Sequence, residues 1–269
     1  MIIRETPILP PPSSKLQALG RWLIHLLSET GRATNIALGS FAEMRHAFSR
    51  RSRHEIVAQM YTAGIKSLPV VTVVAFFIGM ILALQIGIEL RKFSQEAYVG
   101  PAVMATMLRE MGPFMSGLVL AACVGAAMAA QLGTMTINEE IAALEIMSID
   151  PVRFLVMPRM VAMVVMVPTI SFYTCMMGLL GGAVVSKTQL LVPWASYFMN
   201  AMDFADLRAL YVGLFKALIF GVLITTVACY EGFSTKHGAV GVGLATRRCV
   251  VSCFLLILVT GYFVTRIFY

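Results

Sequence analysis

The sequence predicts an all-α integral membrane protein with an N-terminal amphipathic interfacial helix, five or six transmembrane helices and a short cytoplasmic helix between two of them. Only 13% of its 269 residues are charged and 58% are hydrophobic, whereas soluble domains carry roughly a quarter charged residues. Five apolar stretches also have the length needed to cross a bilayer, roughly 17 to 25 residues. Together these observations exclude an ordinary soluble domain.

The N-terminal region is predicted to have two parts. Residues 1–14 contain Pro7 and Pro10 to Pro12 and are expected to form an extended, poorly ordered tail. Residues 15–55 carry apolar side chains at gaps of three and four and arginines between them, which is typical of an amphipathic helix at a membrane surface. Packing on the protein's own membrane domain is a compatible alternative. If this helix enters the bilayer it counts as a sixth span, and the sequence leaves that question open.

The membrane domain is predicted to occupy residues 56–269. Its spans are expected at about 67–88, 102–133, 158–185, 207–230 and 249–265. Nine Lys and Arg residues precede the first span, and an excess of basic residues marks the cytoplasmic side. Five spans then place the N-terminus in the cytoplasm and the C-terminus outside. The connection between spans two and three becomes cytoplasmic.

This connection is a polar break between two long uncharged runs, and four acids fall within it: Glu139, Glu140, Glu145 and Asp150. Asn138 is predicted to cap a helix of ten to twelve residues that Pro151 stops. Apolar side chains would surround the axis of this helix: Ile141, Leu144, Ile146, Met147 and Ile149. A short helix that is apolar on every side must be buried on more than one of them. The membrane domain can cover one side, and we expect a soluble partner to cover the other.

Span two contains small residues at a strict spacing of four: Gly117, Ala121, Gly125, Ala129 and Gly133. Such a row lets a second backbone approach the helix closely. The second backbone can belong to the same chain, or to another copy across a homodimer seam. The sequence favours neither alternative.

Ionisable residues inside the predicted spans are few, and they are candidates for ligand contact. Lys216 lies within span four and is a candidate for touching an anionic group of a substrate. Its alternative role is snorkelling toward the membrane surface. Arg109 and Glu110 lie in span two and either meet a lipid head group in a cavity or pair with each other or with solvent.

The sequence lacks the residues that several classes of function require. The sequence has no GxxxxGK[ST] phosphate loop, and its four histidines lie outside the predicted spans. Its five cysteines have no metal-site spacing, and no basic patch with interleaved aromatic residues suggests nucleic acid. We therefore predict no enzyme activity, no metal and no cofactor in this chain. Its energy source is expected to be another subunit. A secondary transporter that works alone and a scaffold that recruits a soluble enzyme remain as alternatives.

Three stretches carry a family resemblance. The run NEEIAALEIMSIDPVRFLVMPR (138–159), with LREMGP (108–113) and FIGMILALQ (77–85) before it, resembles the MlaE/YrbE family of ABC-transporter permeases. GVGLATRRCVV (241–251) also resembles the final loop of that family. The resemblance covers roughly 58–268 in the same order, and it leaves the proline-rich start unassigned.

The resemblance implies a function and a set of partners. Such permeases are homodimers in the bacterial inner membrane, where two cytoplasmic ATPase subunits bind ATP and Mg²⁺ and an MCE-domain protein covers the external side. They move phospholipids or related lipids between the inner membrane and the cell envelope. Arg109, Glu110 and Lys216 match positions associated with the lipid cavity. The coupling helix that contacts the ATPase would contribute Glu139, Glu140, Ile141, Leu144, Glu145, Met147, Asp150 and Pro151.

Overall fold

The computed structural model describes residues 15–42, 50–236 and 238–269. The proline-rich stretch 1–14, for which the sequence predicts a tail, lies outside the described residues. Eleven α-helices follow one another along the described chain, and no strand occurs in it. Their bounds are α1 Lys15–Ala42, α2 Arg50–Ala63, α3 Leu68–Arg91, α4 Val99–Thr106, α5 Gly112–Leu120, α6 Ala126–Ile137, α7 Glu140–Ile146, α8 Met157–Thr188, α9 Trp194–Asp203, α10 Leu207–Phe233 and α11 Gly238–Phe268.

Five long helical segments of the described chain are apolar enough to cross a membrane. They are Arg53–Arg91, Glu96–Ile137, Val152–Thr188, Leu207–Phe233 and Gly238–Phe268. The all-α membrane fold predicted from the sequence is therefore confirmed. Each segment extends beyond the predicted span because helical geometry continues into the polar flanks, where hydropathy no longer marks it.

The N-terminal region, predicted as one amphipathic helix over residues 15–55, contains two described helices, and residues 43–49 between them lie outside the described residues. α1 ends at Ala42, and a second helix, α2, begins at Arg50. α2 passes through a short 3₁₀ turn, Ile65–Ser67, directly into α3, which has a proline in its first turn. The Ser67 hydroxyl donates to the carbonyls of Ala63 and Gly64 at this junction. The arginines at 50, 51 and 53 thus belong to the helix that leads into the first span.

The packing of α3 against α8 brings their backbones into direct contact. A Cβ placed on Gly79 would overlap the backbone of Gly178, and one placed on Gly181 would overlap that of Phe76. Close backbone approach through small residues is how helices associate where lipid removes the hydrophobic drive between them. α8 also packs against α2, α5 and α10. It therefore lies at the centre of the described bundle.

Three π-helical turns interrupt the α-helical geometry of the spans. Met107–Met111 and Ala121–Gly125 divide span two into α4, α5 and α6, and Val152–Val156 precedes α8. A π turn holds one more residue than an α turn and is frequent at functional sites. In this chain it explains why α5 and α6 are separate helices within one continuous segment.

The helix between spans two and three is shorter than predicted. α7 has seven residues, Glu140–Ile146, instead of ten to twelve, and Asn138 caps the C-terminus of α6 instead of starting α7. The chain reverses at Glu139, which has a left-handed conformation with φ 59°. α7 ends before Pro151 because Ser148 is also left-handed. The amides of Ser148 and Ile149 then bond to the carbonyls of Glu145 and Leu144, a Schellman motif.

Candidate functional site

The structure brings Arg109, Glu110 and Lys216 together at one end of the bundle. The Lys216 side chain is only 1% exposed. Its ammonium group donates to Glu110 Oε1 at 2.7 Å, to the Arg109 carbonyl at 2.9 Å and to Thr265 Oγ1 at 2.7 Å. An ammonium group has three N–H donors, so every one of them is in use. Lys216 is therefore paired inside the bundle and does not snorkel.

The π turn Met107–Met111 places the two partners from span two. It requires small residues around it, because a Cβ on Gly213 of α10 would overlap the carbonyl oxygen of Leu108. A Cβ on Gly112 would overlap the Cys175 thiol, whose Sγ lies 3.4 Å from the Met107 carbonyl. The two glycines thus admit the widened turn, and the turn directs the Arg109 carbonyl and the Glu110 carboxylate toward α10.

The Arg109 side chain extends away from Lys216 into a second set of contacts. Its guanidinium carbon lies 4.7 Å from the centroid of the Tyr269 ring, and its Nη2 atom lies 3.9 Å from Asp206 Oδ2. The guanidinium carbon of Arg208 lies 5.7 Å from the same ring. Asp206 also caps α10, because its other oxygen accepts the amide of Arg208 at 2.9 Å.

We refer to Arg109, Glu110, Asp206, Arg208, Lys216, Thr265 and Tyr269 as the polar cluster. The sequence predicted its three central members, Arg109, Glu110 and Lys216, as lipid-cavity residues. It did not single out Asp206, Arg208, Thr265 or Tyr269. The side chains of Arg109 and Glu110 are 43% and 41% exposed. A ligand can therefore reach these two, whereas Lys216 is covered.

α7 lies among the connections at the opposite ends of spans two and three, and it is covered on one side only. Ile141 and Leu144 pack against a buried cluster that includes Ile36 of α1 and Leu155. Ile146 is 84% exposed and Met147 is 60% exposed. The described part of the chain therefore buries one side of this apolar helix and leaves its other side exposed.

Apart from Ile141 and Leu144, the predicted coupling residues divide into two groups. Glu139, Glu140, Glu145 and Met147 are exposed and available to a partner. Asp150 is also exposed, but its Oδ1 atom accepts the amide of Val152 at 3.0 Å, which caps the helical segment leading into span three. Pro151 is buried at the start of that segment. Asp150 and Pro151 thus have a structural role in orienting span three.

The row of small residues in span two packs within the chain. All five residues, Gly117, Ala121, Gly125, Ala129 and Gly133, are buried. Phe220 of α10 and Ile257 of α11 lie opposite Gly117, and Ile224 and Cys249 lie opposite Gly125. The intrachain alternative accounts for these contacts. The homodimer seam stays a prediction for this row.

The family model for the permease MlaE matches residues 56–267. The chain belongs to the MlaE permease family. One relative is a probable ABC transporter permease protein of Rickettsia conorii. That protein is 36% identical over 214 residues, which cover 80% of this chain and 83% of the relative.

Two further relatives of this MlaE-family chain differ in how they are described. A probable ABC transporter permease protein of Synechocystis is 31% identical over 216 residues. That alignment covers 80% of this chain and 82% of the relative. The intermembrane phospholipid transport system permease protein MlaE of Haemophilus influenzae is 30% identical over 257 residues. That alignment covers 94% of this chain and 97% of the relative.

The part of the MlaE-family chain matched by the family model contains α7 and every member of the polar cluster except Tyr269. The match begins inside α2, so α1 lies outside it. Membership in a family of multi-pass ABC transporter permeases agrees with the five membrane-length segments.

Proposed function

We propose that this chain is the membrane-spanning permease subunit of an ABC transporter that moves phospholipid or a related lipid between the inner membrane and the cell envelope. ATP is hydrolysed by a separate ATPase subunit, which binds ATP and Mg²⁺, and this chain has no catalytic role. The Haemophilus relative named for intermembrane phospholipid transport, aligned over 94% of this chain, supports the substrate class.

The observation that carries the proposal is the half-covered α7. The apolar side chains of Ile146 and of Met147, the residue that follows α7, are exposed beside two exposed acids, Glu140 and Glu145. An apolar centre with charged residues at its edge is the usual composition of a protein interface. We propose that the ATPase binds this surface, with its basic residues facing the acids of α7.

The remaining partners follow from the same proposal. Two copies of this chain form the permease, two ATPase subunits bind on the cytoplasmic side, and an MCE-domain protein binds on the external side. The N-terminus and α7 lie in the cytoplasm, and the polar cluster lies toward the external side, where it meets the lipid. Glu140 and Glu145 set the fit to the ATPase, and Arg109 and Glu110 face the lipid.

The test is a charge reversal on α7. The Glu140→Lys/Glu145→Lys double variant, co-expressed with the ATPase subunit, should assemble in the membrane but lose lipid transport by tenfold or more. Like charges facing each other across an interface cost several kcal/mol. Lipid transfer between proteoliposomes and ATP hydrolysis are measured together, and the ratio of lipid moved to ATP hydrolysed should fall.

A matched control carries the same change of charge at the other end of the bundle. Glu89 and Asp203 are exposed, and the contact of Glu89 with Lys92 is an exposed ion pair of little energetic weight. The Glu89→Lys/Asp203→Lys variant should keep the transport ratio of the unmodified protein. Unchanged transport in the α7 variant, or an equal loss in both variants, would contradict the proposed role of α7.

A further inference from the structure

The helix between spans three and four, α9, has apolar residues that the described bundle only partly buries. α8 ends at Thr188, α9 occupies Trp194–Asp203, and α10 begins at Leu207. The connections on either side of α9, 189–193 and 204–206, have only five and three residues. Because α8 and α10 belong to membrane-length segments, the short connections keep α9 close to the membrane surface at that end of the bundle.

Contacts of Tyr197 fix the depth of α9 against the spans. This side chain is buried, and a Cβ on Gly182 of α8 would overlap its hydroxyl oxygen. Gly182 lies six residues before the end of α8, about 9 Å along the helix axis, and within the uncharged run 160–186. A tyrosine side chain is shorter than this distance. The backbone of α9 therefore lies no higher than the end of α8.

The backbone of α9 also touches another span. A Cβ on Gly100, in the first turn of α4, would overlap the Tyr197 carbonyl oxygen. On the polar side of α9, the Asn200 amide group donates to the Ala97 carbonyl at 3.0 Å. α9 is thus held against the bundle along its length, and its rotation about its own axis is fixed.

This rotation leaves an apolar sector of α9 exposed. At 100° per residue, the buried Tyr197 and Ala201 lie on one face. The next sector is apolar but only partly covered, and we refer to its residues Trp194, Phe198, Met199 and Met202 as the α9 strip. Met199 is 66% exposed and Met202 is 57% exposed. The polar residues occupy the remaining sector: Ser196, Asn200 and Asp203.

Lipid is the partner that best fits the α9 strip. Lys187 Nζ lies 5.3 Å from the centroid of the Trp194 ring. Tryptophan is enriched at the level of the lipid head groups, and a lysine near the end of a span extends its amine to that level. Phe204 and Leu207, which lead from α9 into span four, are also exposed. The apolar surface therefore continues along the chain from α9 into a segment long and apolar enough to cross the membrane.

We propose that α9 lies in the plane of the membrane surface, with the α9 strip inserted among the lipid chains of the adjacent leaflet and with Ser196 and Asp203 facing water. An amphipathic helix in this position buries its apolar face about 5–10 Å into the boundary between head groups and acyl chains. The partner of this surface is the bilayer itself. The inference goes beyond the proposed function, because it requires neither an ATPase nor a transported lipid.

The experiment uses tryptophan fluorescence of the purified permease in phosphatidylcholine nanodiscs. The sequence contains two tryptophans, so Trp22→Phe leaves Trp194 as the only fluorophore and keeps every residue of α9. Phosphatidylcholine with brominated acyl chains should quench about half of this fluorescence or more, because the α9 strip lies about 5–10 Å deep. Bromine near the head group should quench more than bromine near the methyl end. Iodide in the water should quench little.

Each other result contradicts the proposal. Strong quenching by iodide without quenching by bromine would show that the α9 strip faces water. Quenching by neither would show that protein covers it, as in a seam with a second copy of this chain.

Two further proteins test the orientation of α9. In the Trp22→Phe/Trp194→Phe background, Met202→Trp places the fluorophore on the α9 strip at the other end of the helix, and Ser196→Trp is the matched control on the polar side. The Met202→Trp protein should be quenched by bromine as Trp194 is, because a helix parallel to the membrane keeps both ends at one depth. The Ser196→Trp protein should respond mainly to iodide. Equal responses of these two proteins would overturn the orientation.

Discussion

At the residue scale, the Lys216–Glu110 pair is asymmetric in its access to solvent. Lys216 is 1% exposed, whereas Glu110 is 41% exposed. Removing one partner of a buried pair leaves a charge without compensation, and the cost depends on which charge is left. The carboxylate can turn to solvent when the lysine is lost, but the ammonium group cannot. The two single substitutions should therefore differ.

We expect Glu110→Met to lower the free energy of unfolding by about 3 kcal/mol and Lys216→Met by about 1 kcal/mol or less. The double variant should lie near the unmodified protein, because replacement of a whole buried pair by apolar groups is often close to neutral. Thermal unfolding of the four proteins in one detergent measures this. Equal losses for the two single variants, or additive losses in the double variant, would show that the pair is not coupled as the contacts indicate.

At the element scale, the π turn Met107–Met111 depends on glycines of neighbouring helices. Gly213 has no room for a Cβ beside the Leu108 carbonyl. Backbone atoms cannot move aside as the end of a flexible side chain can, so a methyl group there should either displace α10 or force the turn to change. Either result would move Arg109 and Glu110 relative to Lys216.

Gly213→Ala should therefore destabilise the protein by about 1–3 kcal/mol and weaken phosphatidylglycerol binding. Gly243→Ala is its control, because Gly243 lies in α11 with open space around the position of a Cβ. That substitution should be neutral or should stabilise the helix by about 0.5–1 kcal/mol. The measurements are thermal unfolding and the titration of fluorescent phosphatidylglycerol into the purified permease in detergent. A Gly213→Ala protein as stable as the Gly243→Ala protein would show that α10 adapts without cost.

At the scale of the whole molecule, we predict that the two ends of the chain lie on opposite sides of the bilayer, because the described residues contain five membrane-length segments. Nine Lys and Arg residues precede the third helix, and such an excess predicts that the N-terminal side lies in the cytoplasm. The prediction is specific, because a sixth crossing by α1 would return both ends to the same side.

Reporter fusions measure this arrangement. Alkaline phosphatase fused after Tyr269 should be active, because it folds only outside the cytoplasm, and green fluorescent protein fused at that position should be dark. The same green fluorescent protein fused before Met1 should fluoresce. A bright C-terminal fusion with an inactive phosphatase would instead place the C-terminus inside and require an even number of crossings.

The sequence was sufficient for the fold class and for three members of the polar cluster. Lys216 was recognisable because a lysine inside an apolar segment needs a partner, and Glu110 was one of the few carboxylates within a span. Thr265, Arg208 and Tyr269 were not recognisable, because the hydropathy pattern does not show which helix ends meet. The length of α7 was mispredicted for a related reason. Pro151 predicts the end of this helix from the sequence, whereas the left-handed Ser148 ends it earlier in the structure.

The row of small residues in span two has a consequence for how this helix tolerates change. An α-helix turns about 100° per residue, so four residues overshoot a full turn by about 40°. Four such steps would carry Gly133 about 160° away from Gly117, yet both are buried. The π turn Ala121–Gly125 lies within the row, and its wider winding turns the helix back. The extra residue thus keeps the small residues before and after the π turn on the same face of the helix. Deletion of a single residue in this turn would rotate α6 about its axis. Its small side chains would then no longer face α10 and α11.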